Sequence, residues 1–230
     1  MAFLLVDDQP IITYALSELL KGAFPDAARI DVAADSLTML KCLASKHYDF
    51  LILDLFTPGA GQSIAMLRAA LSESPHLGVV IFSGYKSPCL ALAALEQGAR
   101  AYVCKSSGPH LIVEAIEALK AGNVFCDPAI DLASAHKHPW YSLSDLEWYV
   151  LLSLARGECL HKVAERQSRD YKTIAAHKYN ALNKLGLSTG VELANYLASQ
   201  GLGYLLDELT ADTVPNRYKR PLQASAASRR

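Results

Sequence analysis

The stretch that decides the fold is residues 2–8, AFLLVDD, in which an apolar run ends in two acids. The pattern returns at residues 50–54, FLILD, and a later short apolar run is closed by a lysine. An open parallel α/β sheet gathers its reactive groups in the crevice beyond the carboxyl ends of its strands. We therefore expect four side chains to converge in space: Asp7, Asp8, Asp54 and Lys105.

Three converging carboxylates need a cation, because like charges a few ångströms apart raise each other's pKa unless a positive charge offsets them. Mg²⁺ suits this set, since it takes a few protein oxygens and completes its octahedron with water and phosphate oxygens. The sequence therefore predicts a Mg²⁺ site at Asp7, Asp8 and Asp54. An acid at a strand end can instead cap the helix that follows, but the joint occurrence with Lys105 favours the metal site.

The first part of the chain alternates short apolar runs with amphipathic segments, which is typical of βα units. Strands are predicted at residues 2–6, 30–33, 50–53, 78–82 and 101–103, each followed by a helix. This strict alternation predicts a doubly wound, flavodoxin-like α/β domain over residues 1–122. Its five-stranded parallel sheet has the expected order 2-1-3-4-5.

Length and composition set further bounds. A chain of 230 residues, of which 51% are hydrophobic, favours two domains. No apolar stretch reaches the roughly 18 residues of a membrane span, and the start lacks the features of a signal peptide, so we predict a cytoplasmic protein with no membrane partner. The five cysteines are scattered and form no CxxC pair, which favours buried thiols over metal ligands or disulfides.

The second part of the chain has a different pattern. Periodicity stops over residues 123–141, where prolines and histidines appear, and a linker is predicted there. Residues 142–202 favour only short helices joined by tight turns, which predicts an all-α helix-turn-helix domain. The tail, residues 203–230, is rich in Ala, Ser and Arg and is predicted to be disordered.

These residues carry a resemblance to a known family. Residues 1–122 resemble the receiver domain of two-component response regulators through features that occur in this order: Asp7 and Asp8, Asp54 followed by Pro58-Gly59, Ser83 after a strand, Tyr102, and Lys105 before Ser106. Residues 142–202 resemble the LuxR-type helix-turn-helix of the NarL/FixJ class. Within that class, Lys172-Thr173-Ile174 and Lys184-Leu185-Gly186 are most similar to the capsule-regulating Rcs branch.

The resemblance implies a role for each residue of the acid cluster. Asp54 is the implied phosphate acceptor, and Asp7, Asp8 and the carbonyl of Phe56 hold Mg²⁺ with it. Lys105 and the Ser83 hydroxyl contact the phosphoryl group, and Tyr102 is the ring that reports its presence. Taken alone, Ser83 would be a turn hydroxyl, Tyr102 a core residue and Lys105 a solvated lysine.

The resemblance also implies a DNA contact through the helix predicted at 170–185, which enters the major groove. The side chains expected to face or flank bases are Ala175, Ala176, Lys178 and Tyr179, and those expected to reach phosphates are Lys172, Thr173, His177 and Lys184. The implied dimer contact lies on the last helix, at Val191, Ala194, Asn195 and Leu197. A net charge of only +1 over residues 142–202 favours binding as a dimer, because one such domain makes few phosphate contacts.

Two aromatic residues, Trp148 and Tyr149, stand where the first helix of the module is normally charged, and they leave two interpretations open. They form a surface for a partner protein, or they cover the linker.

The sequence thus predicts a response regulator and transcription factor of a two-component or phosphorelay system, and not an enzyme. A sensor histidine kinase or a histidine phosphotransfer protein is the expected phosphoryl donor, and promoter DNA is bound by a homodimer or by a heterodimer with another regulator. The alternative is a phosphorylation-independent interaction module acting through a partner regulator or polymerase. A Mg²⁺ phosphohydrolase is disfavoured, because Asp54-Leu55-Phe56-Thr57 lacks the acid two positions after the nucleophile that such enzymes use.

Overall fold

The computed structural model of the chain describes residues 1–57, 64–135, 137–200 and 202–203. It divides into two compact units, of which the first ends at Leu132 and the second begins at Ala133. None of the described helices is long and apolar enough to cross a membrane. The Pro58-Gly59 motif, His136 and the tail from residue 204 onward lie outside the described residues.

The first unit is a doubly wound α/β fold, as predicted. The described strands of its parallel sheet lie in the order β2-β1-β3-β4-β5-β6. Their bounds are β1 Ala2–Val6, β2 Arg29–Ala33, β3 Phe50–Leu53, β4 Gly78–Ser83, β5 Ala101–Cys104 and β6 Phe125–Cys126. The helices between them are α1 Pro10–Ala23, α2 Ser36–Ser45, α3 Ile64–Glu73, α4 Pro88–Glu96 and α5 His110–Lys120.

The central strands are apolar along their whole length because helices cover both faces of the sheet. All residues of β3 and β5 are buried. On the face that packs against α1 and α5, the ring of Phe3 lies 5.7 Å from that of Phe24 and 5.5 Å from that of Phe50. This core fixes the carboxyl ends of β1, β3 and β5 relative to one another.

The predicted five-stranded sheet and the predicted limit at residue 122 are wrong, because β6 adds a sixth strand. β6 runs parallel to β5, with Cys126 opposite Tyr102, and the first unit continues to Leu132. The region 123–141 predicted as a linker also contains α6, Leu132–Ala135, and a short 3-10 helix, Pro139–Ser142. A strand of two residues is too short to show a period of two, and its pairing depends on a neighbour distant in sequence.

The second unit contains the predicted helix-turn-helix. Its helices are α7 Asp145–Ala155, α8 Leu160–Arg166, α9 Tyr171–Leu185 and α10 Val191–Ser199. α7 begins with a capping box formed by Ser144 and Glu147, and α9 ends at Gly186 in the left-handed conformation, with φ 69°. The buried side chains at the centre of α7, α8 and α9 are Val150, Val163, Ala164 and Ile174.

All five cysteines are free thiols, as predicted. Cys89 and Cys104 are buried, whereas Cys42 and Cys126 are half-buried. The expectation of a buried thiol is wrong for Cys159, which is exposed in the turn before α8.

Candidate functional site

The acid cluster converges at the carboxyl edge of the sheet, as the strand pattern predicted. Asp7 follows β1, Asp54 follows β3 and Lys105 follows β5. Ligand oxygens of Asp7, Asp8 and Asp54 all lie within 4.8 Å of one another. The Lys105 Nζ lies 2.5 Å from Asp7 Oδ2 and 2.8 Å from Asp54 Oδ2. One ammonium group therefore bridges two carboxylates.

Burial sets the electrostatics of this cluster. Asp7 and Asp54 are buried, whereas Asp8 is exposed and opens the cluster to solvent. Burial raises the pKa of Asp54 by more than the contact with Lys105 lowers it. For Lys105, burial lowers the pKa, but Asp54 and Asp7 together outweigh that effect and leave its pKa above the ordinary value. Lys105 is therefore cationic at neutral pH.

The turn after β3 holds Asp54 by both its main chain and its side chain. The Asp54 N–H donates to the Val6 carbonyl at 2.8 Å, and the Asp54 carbonyl accepts from the buried Thr57 hydroxyl at 3.0 Å. The Phe56 N–H donates to Asp54 Oδ1 at 3.2 Å. The same turn thus presents the Asp54 carboxylate and contains Phe56, whose carbonyl is the fourth predicted metal ligand.

Ser83 and Tyr102 are connected through a residue that the sequence analysis missed. The buried Ser83 Oγ accepts from the Tyr85 N–H at 3.2 Å, and the Tyr102 hydroxyl donates to the Tyr85 carbonyl at 2.7 Å. Burial raises the pKa of Tyr102, so its hydroxyl is a donor. The Tyr85 ring lies 4.4 Å from the Phe56 ring, in the turn after β3. No sequence pattern pointed to Tyr85, because its role depends on main-chain groups.

Asp127 is a second residue that the sequence analysis missed. Its carboxylate is buried and accepts hydrogen bonds from the N–H groups of Cys104 at 2.9 Å and Ala129 at 2.8 Å. Cys104 directly precedes Lys105 in the chain. The available signal was the Asp127-Pro128 pair, which favours a turn and so marks the end of a structured segment.

The predicted DNA-contacting residues lie on α9 with different exposures. Lys172, Ala176, Tyr179 and Lys184 are exposed, and Thr173, Ala175, His177 and Lys178 are half-buried. The Lys178 Nζ lies 4.5 Å from the centre of the Tyr179 ring. The Lys184 ammonium lies 2.7 Å from Glu147 Oε2 and 3.2 Å from the Ser142 carbonyl, so it also stabilises the start of α7. Whether these side chains contact DNA stays a prediction.

One of the four predicted dimer contacts is wrong. Val191 is 85% exposed, and Ala194 and Asn195 are exposed too, whereas Leu197 is fully buried. Leu197 lies four residues after the buried Leu193, so both side chains belong to the inner face of α10. Leu197 therefore belongs to the core of this unit and offers no surface to a second copy.

Trp148 has a structural role in the second unit. Its ring is buried and lies 5.7 Å from that of Trp140, in the segment where the linker was predicted. The interpretation that Trp148 covers this segment is confirmed, and the interpretation that it forms an exposed partner surface is wrong. The half-buried Tyr149 accepts a hydrogen bond through its hydroxyl from Arg166 at 2.9 Å.

Comparisons with known proteins agree with this geometry. A family model for the response regulator receiver domain matches residues 3–117. The transcriptional regulatory protein RcsB of Escherichia coli K12 is 26% identical over 208 residues, covering 86% of this chain and 94% of the relative. The Fimbriae Z protein of Salmonella typhimurium is 29% identical over 205 residues, covering 86% and 97%.

Solved structures give the same result over both units. RcsB from Salmonella enterica serovar Typhimurium, bound to promoter rprA in the presence of the phosphomimetic BeF3-, is 25% identical with a TM-score of 0.66. A second RcsB–DNA complex is 26% identical with a TM-score of 0.65. Each match covers 86% of this chain and 98% of the solved chain. The resemblance to Rcs-type regulators is confirmed.

Proposed function

The chain belongs to the response regulator receiver family, and on that premise we propose that it is a cytoplasmic transcription factor of a two-component or phosphorelay system. A sensor histidine kinase or a histidine phosphotransfer protein supplies a phosphoryl group to Asp54. The phosphorylated form then changes dimerisation and promoter binding through the second unit. The observation that carries the proposal is the Lys105 ammonium, held 2.5 Å from Asp7 and 2.8 Å from Asp54 at the carboxyl edge of the sheet.

Asp54 is the nucleophile in this proposal. One of its carboxylate oxygens forms a bond to phosphorus while the bond between phosphorus and the donor breaks, and the donor keeps that bond's electron pair. Lys105 supplies a positive charge to the transferred oxygens. The Phe56 N–H, which donates to Asp54 Oδ1, orients the carboxylate for attack.

The residues of the cluster fit a Mg²⁺ ion. Carboxylates are hard oxygen ligands, and those of Asp7, Asp8 and Asp54 lie within 4.8 Å of one another. The Phe56 carbonyl would complete the protein ligands. When bound, Mg²⁺ supplies positive charge that offsets the carboxylates and the incoming phosphoryl group. The exposed side of the cluster, at Asp8, admits the ion and the donor.

Ser83 and Tyr102 transmit the effect of phosphorylation from Asp54 to the rest of the unit. A phosphoryl group brings three strong acceptor oxygens, so the Ser83 hydroxyl turns to donate to it. In the structure without a phosphoryl group, the Tyr85 N–H donates to Ser83 and the Tyr85 carbonyl accepts from the Tyr102 hydroxyl. Rotation of the Ser83 hydroxyl therefore affects Tyr85, and through the Tyr85 carbonyl it affects Tyr102. A local change in hydrogen bonding is thereby read out as a change in the surface near Tyr102.

The second unit binds promoter DNA by placing α9 in the major groove, as the RcsB–DNA complexes suggest for a similar chain. Bases are faced or flanked by Ala175, Ala176, Lys178 and Tyr179, and phosphates are reached by Lys172, Thr173, His177 and Lys184. Val191, Ala194 and Asn195, exposed on α10, form the dimer contact. Pairing two such domains makes the second DNA contact intramolecular, which offsets the low charge of each.

DNA-binding measurements test this proposal. The affinity of the full chain for the rprA promoter fragment is measured by fluorescence anisotropy with and without beryllofluoride and Mg²⁺. We expect the phosphoryl analogue to raise the affinity of the wild type by about tenfold, within the usual range of coupling between two sites, and to leave Asp54→Asn unchanged. The matched control is Asp26→Asn, which removes one exposed carboxylate from the same unit and should behave as the wild type does.

The outcome also decides between this proposal and its rival. Equal binding by the wild type and Asp54→Asn in all conditions would overturn the phosphorylation switch. It would favour an interaction module that acts through a partner regulator or polymerase without phosphate. The burial of Trp148 removes the exposed aromatic surface that would have supported that rival.

A further inference from the structure

We infer that Asp127 is a positioning residue for Lys105, through the short turn that presents the lysine to the acid cluster. The inference rests on the proposed function, because it assumes that Lys105 contacts the phosphoryl group. Asp127 follows β6, and so lies beyond the residues 3–117 that match the receiver family model.

The contacts of Asp127 hold both ends of the turn that contains Lys105. Asp127 is 1% exposed. Its Oδ2 accepts from the Cys104 N–H at 2.9 Å, immediately before Lys105, and its carboxylate also accepts from the Ser107 hydroxyl, at the end of the turn. The Asp127 N–H donates to the Tyr102 carbonyl at 2.8 Å, which ties the residue to β5.

The turn itself is short. Lys105–Ser107 is a single 3-10 turn between the end of β5 and Gly108, in which Lys105 and Ser107 are half-buried and Ser106 is exposed. A 3-10 turn has poorer hydrogen-bond geometry than an α-helix, so outside contacts decide where it lies. The Lys105 ammonium must reach two carboxylates at 2.5 and 2.8 Å, and a shift of the turn would move it from both.

The chemistry of the site requires a carboxylate at this position. Burial raises the pKa of Asp127, but its hydrogen bonds to Cys104, Ala129 and Ser107, together with the nearby charge of Lys86, outweigh burial and leave the pKa below the ordinary value. The group is therefore ionised and accepts through both oxygens. Asparagine has one carbonyl oxygen, and its NH₂ group would face a donor in place of the second oxygen. The Asp127→Asn variant thus keeps the shape of the side chain and loses one of the hydrogen bonds that the carboxylate accepts.

A double-mutant cycle on the full chain tests whether Asp127 acts through Lys105. The dissociation constant of beryllofluoride at saturating Mg²⁺ is measured by ¹⁹F NMR for the wild type, Asp127→Asn, Lys105→Ala and the double variant. We expect Asp127→Asn to weaken binding by about tenfold when Lys105 is present, as for one lost hydrogen bond to a charged group. In the Lys105→Ala background we expect a change of less than about twofold, because the two residues then no longer couple.

Several outcomes would overturn the inference. An equal loss of beryllofluoride affinity in both backgrounds would mean that Asp127 supports the fold without positioning Lys105. No loss of affinity in either background would mean that the turn does not need Asp127. Should Asp127→Asn unfold, as judged by circular dichroism, Ser107→Ala removes one donor to Asp127 and must show the same dependence on Lys105. A wild type that binds no beryllofluoride would overturn the proposed function itself, whereas additive losses overturn only the role of Asp127. Asp26→Asn serves again as the surface control.

Discussion

Replacing Glu147 by glutamine should destabilise the second unit, because one carboxylate oxygen serves two partners at the start of α7. Glu147 Oε2 accepts from the Ser144 N–H at 2.7 Å and lies 2.7 Å from Lys184 Nζ. Glu147 is 5% exposed. The amide oxygen of a glutamine can keep the bond to Ser144, but it offers no negative charge to Lys184.

The expected loss follows from the charge on that contact. A hydrogen bond between charged groups contributes about 1.5–3 kcal/mol, and solvent screening at the exposed Lys184 end reduces this, so we expect a loss of about 1–2 kcal/mol at neutral pH. Burial raises the pKa of Glu147, but Lys184 and Ser144 outweigh it and leave the pKa below the ordinary value of 4.5. The stabilisation is therefore complete above pH 4.5 and is lost as the pH falls through the folded-state pKa.

Tryptophan fluorescence during urea denaturation measures this effect selectively, because both tryptophans of the chain, Trp140 and Trp148, lie in the second unit. The difference in unfolding free energy between wild type and Glu147→Gln should stay constant from about pH 7 to about pH 5 and narrow as the pH falls below 4.5, since glutamine does not titrate while glutamate becomes neutral. The control Glu165→Gln, exposed on α8, should change stability by less than about 0.5 kcal/mol. A difference in unfolding free energy that stays constant below pH 4.5, or an equal loss of stability in Glu165→Gln, would refute the reasoning.

Four further substitutions test the packing and one hydrogen bond. Trp148→Ala should lower the free energy of unfolding of the second unit by about 3–5 kcal/mol, as measured through the fluorescence of Trp140. A loss below about 1 kcal/mol would contradict the burial of Trp148. Leu197→Ala should lower the free energy of unfolding of the second unit by about 2–5 kcal/mol. Val191→Ala should change that free energy by under about 0.5 kcal/mol, but it should weaken dimerisation as measured by sedimentation. Equal destabilisation by the two substitutions would contradict the orientation of α10. Tyr102→Phe should destabilise the first unit by about 1 kcal/mol in thermal unfolding followed by circular dichroism, and an unchanged midpoint would contradict its hydrogen bond to Tyr85.

The acid cluster could be predicted from sequence because the topology of a parallel sheet determines where strand ends meet. Once β1, β3 and β5 were identified from their apolar runs, the residues directly after them had to share one edge. The positions of Asp7, Asp54 and Lys105 depend on that rule and on no detail of side-chain packing. The helix-turn-helix was predictable for a similar reason, since its caps and stops are local signals such as Ser144 and Gly186.

The features that the sequence analysis missed depend on contacts between distant segments. β6 has two residues and is recognisable only from its pairing with β5. Tyr85 and Asp127 act on main-chain groups, which any residue type presents, so no pattern of side chains identifies their partners. The wrong assignment of Leu197 has another cause, because the family resemblance placed it on the dimer surface while its spacing from Leu193 assigns it to the core.

The geometry of the acid cluster gives an independent argument for a divalent cation. The cluster brings three carboxyl groups together around one ammonium group, and Asp7 and Asp54 are buried. Lys105 contacts both of them, so a single cationic side chain faces the whole cluster. Like charges this close raise each other's pKa unless further positive charge offsets them. An anionic phosphoryl donor would add to the repulsion at Asp54, which supports the proposal that a Mg²⁺ ion held by oxygen ligands acts there together with Lys105.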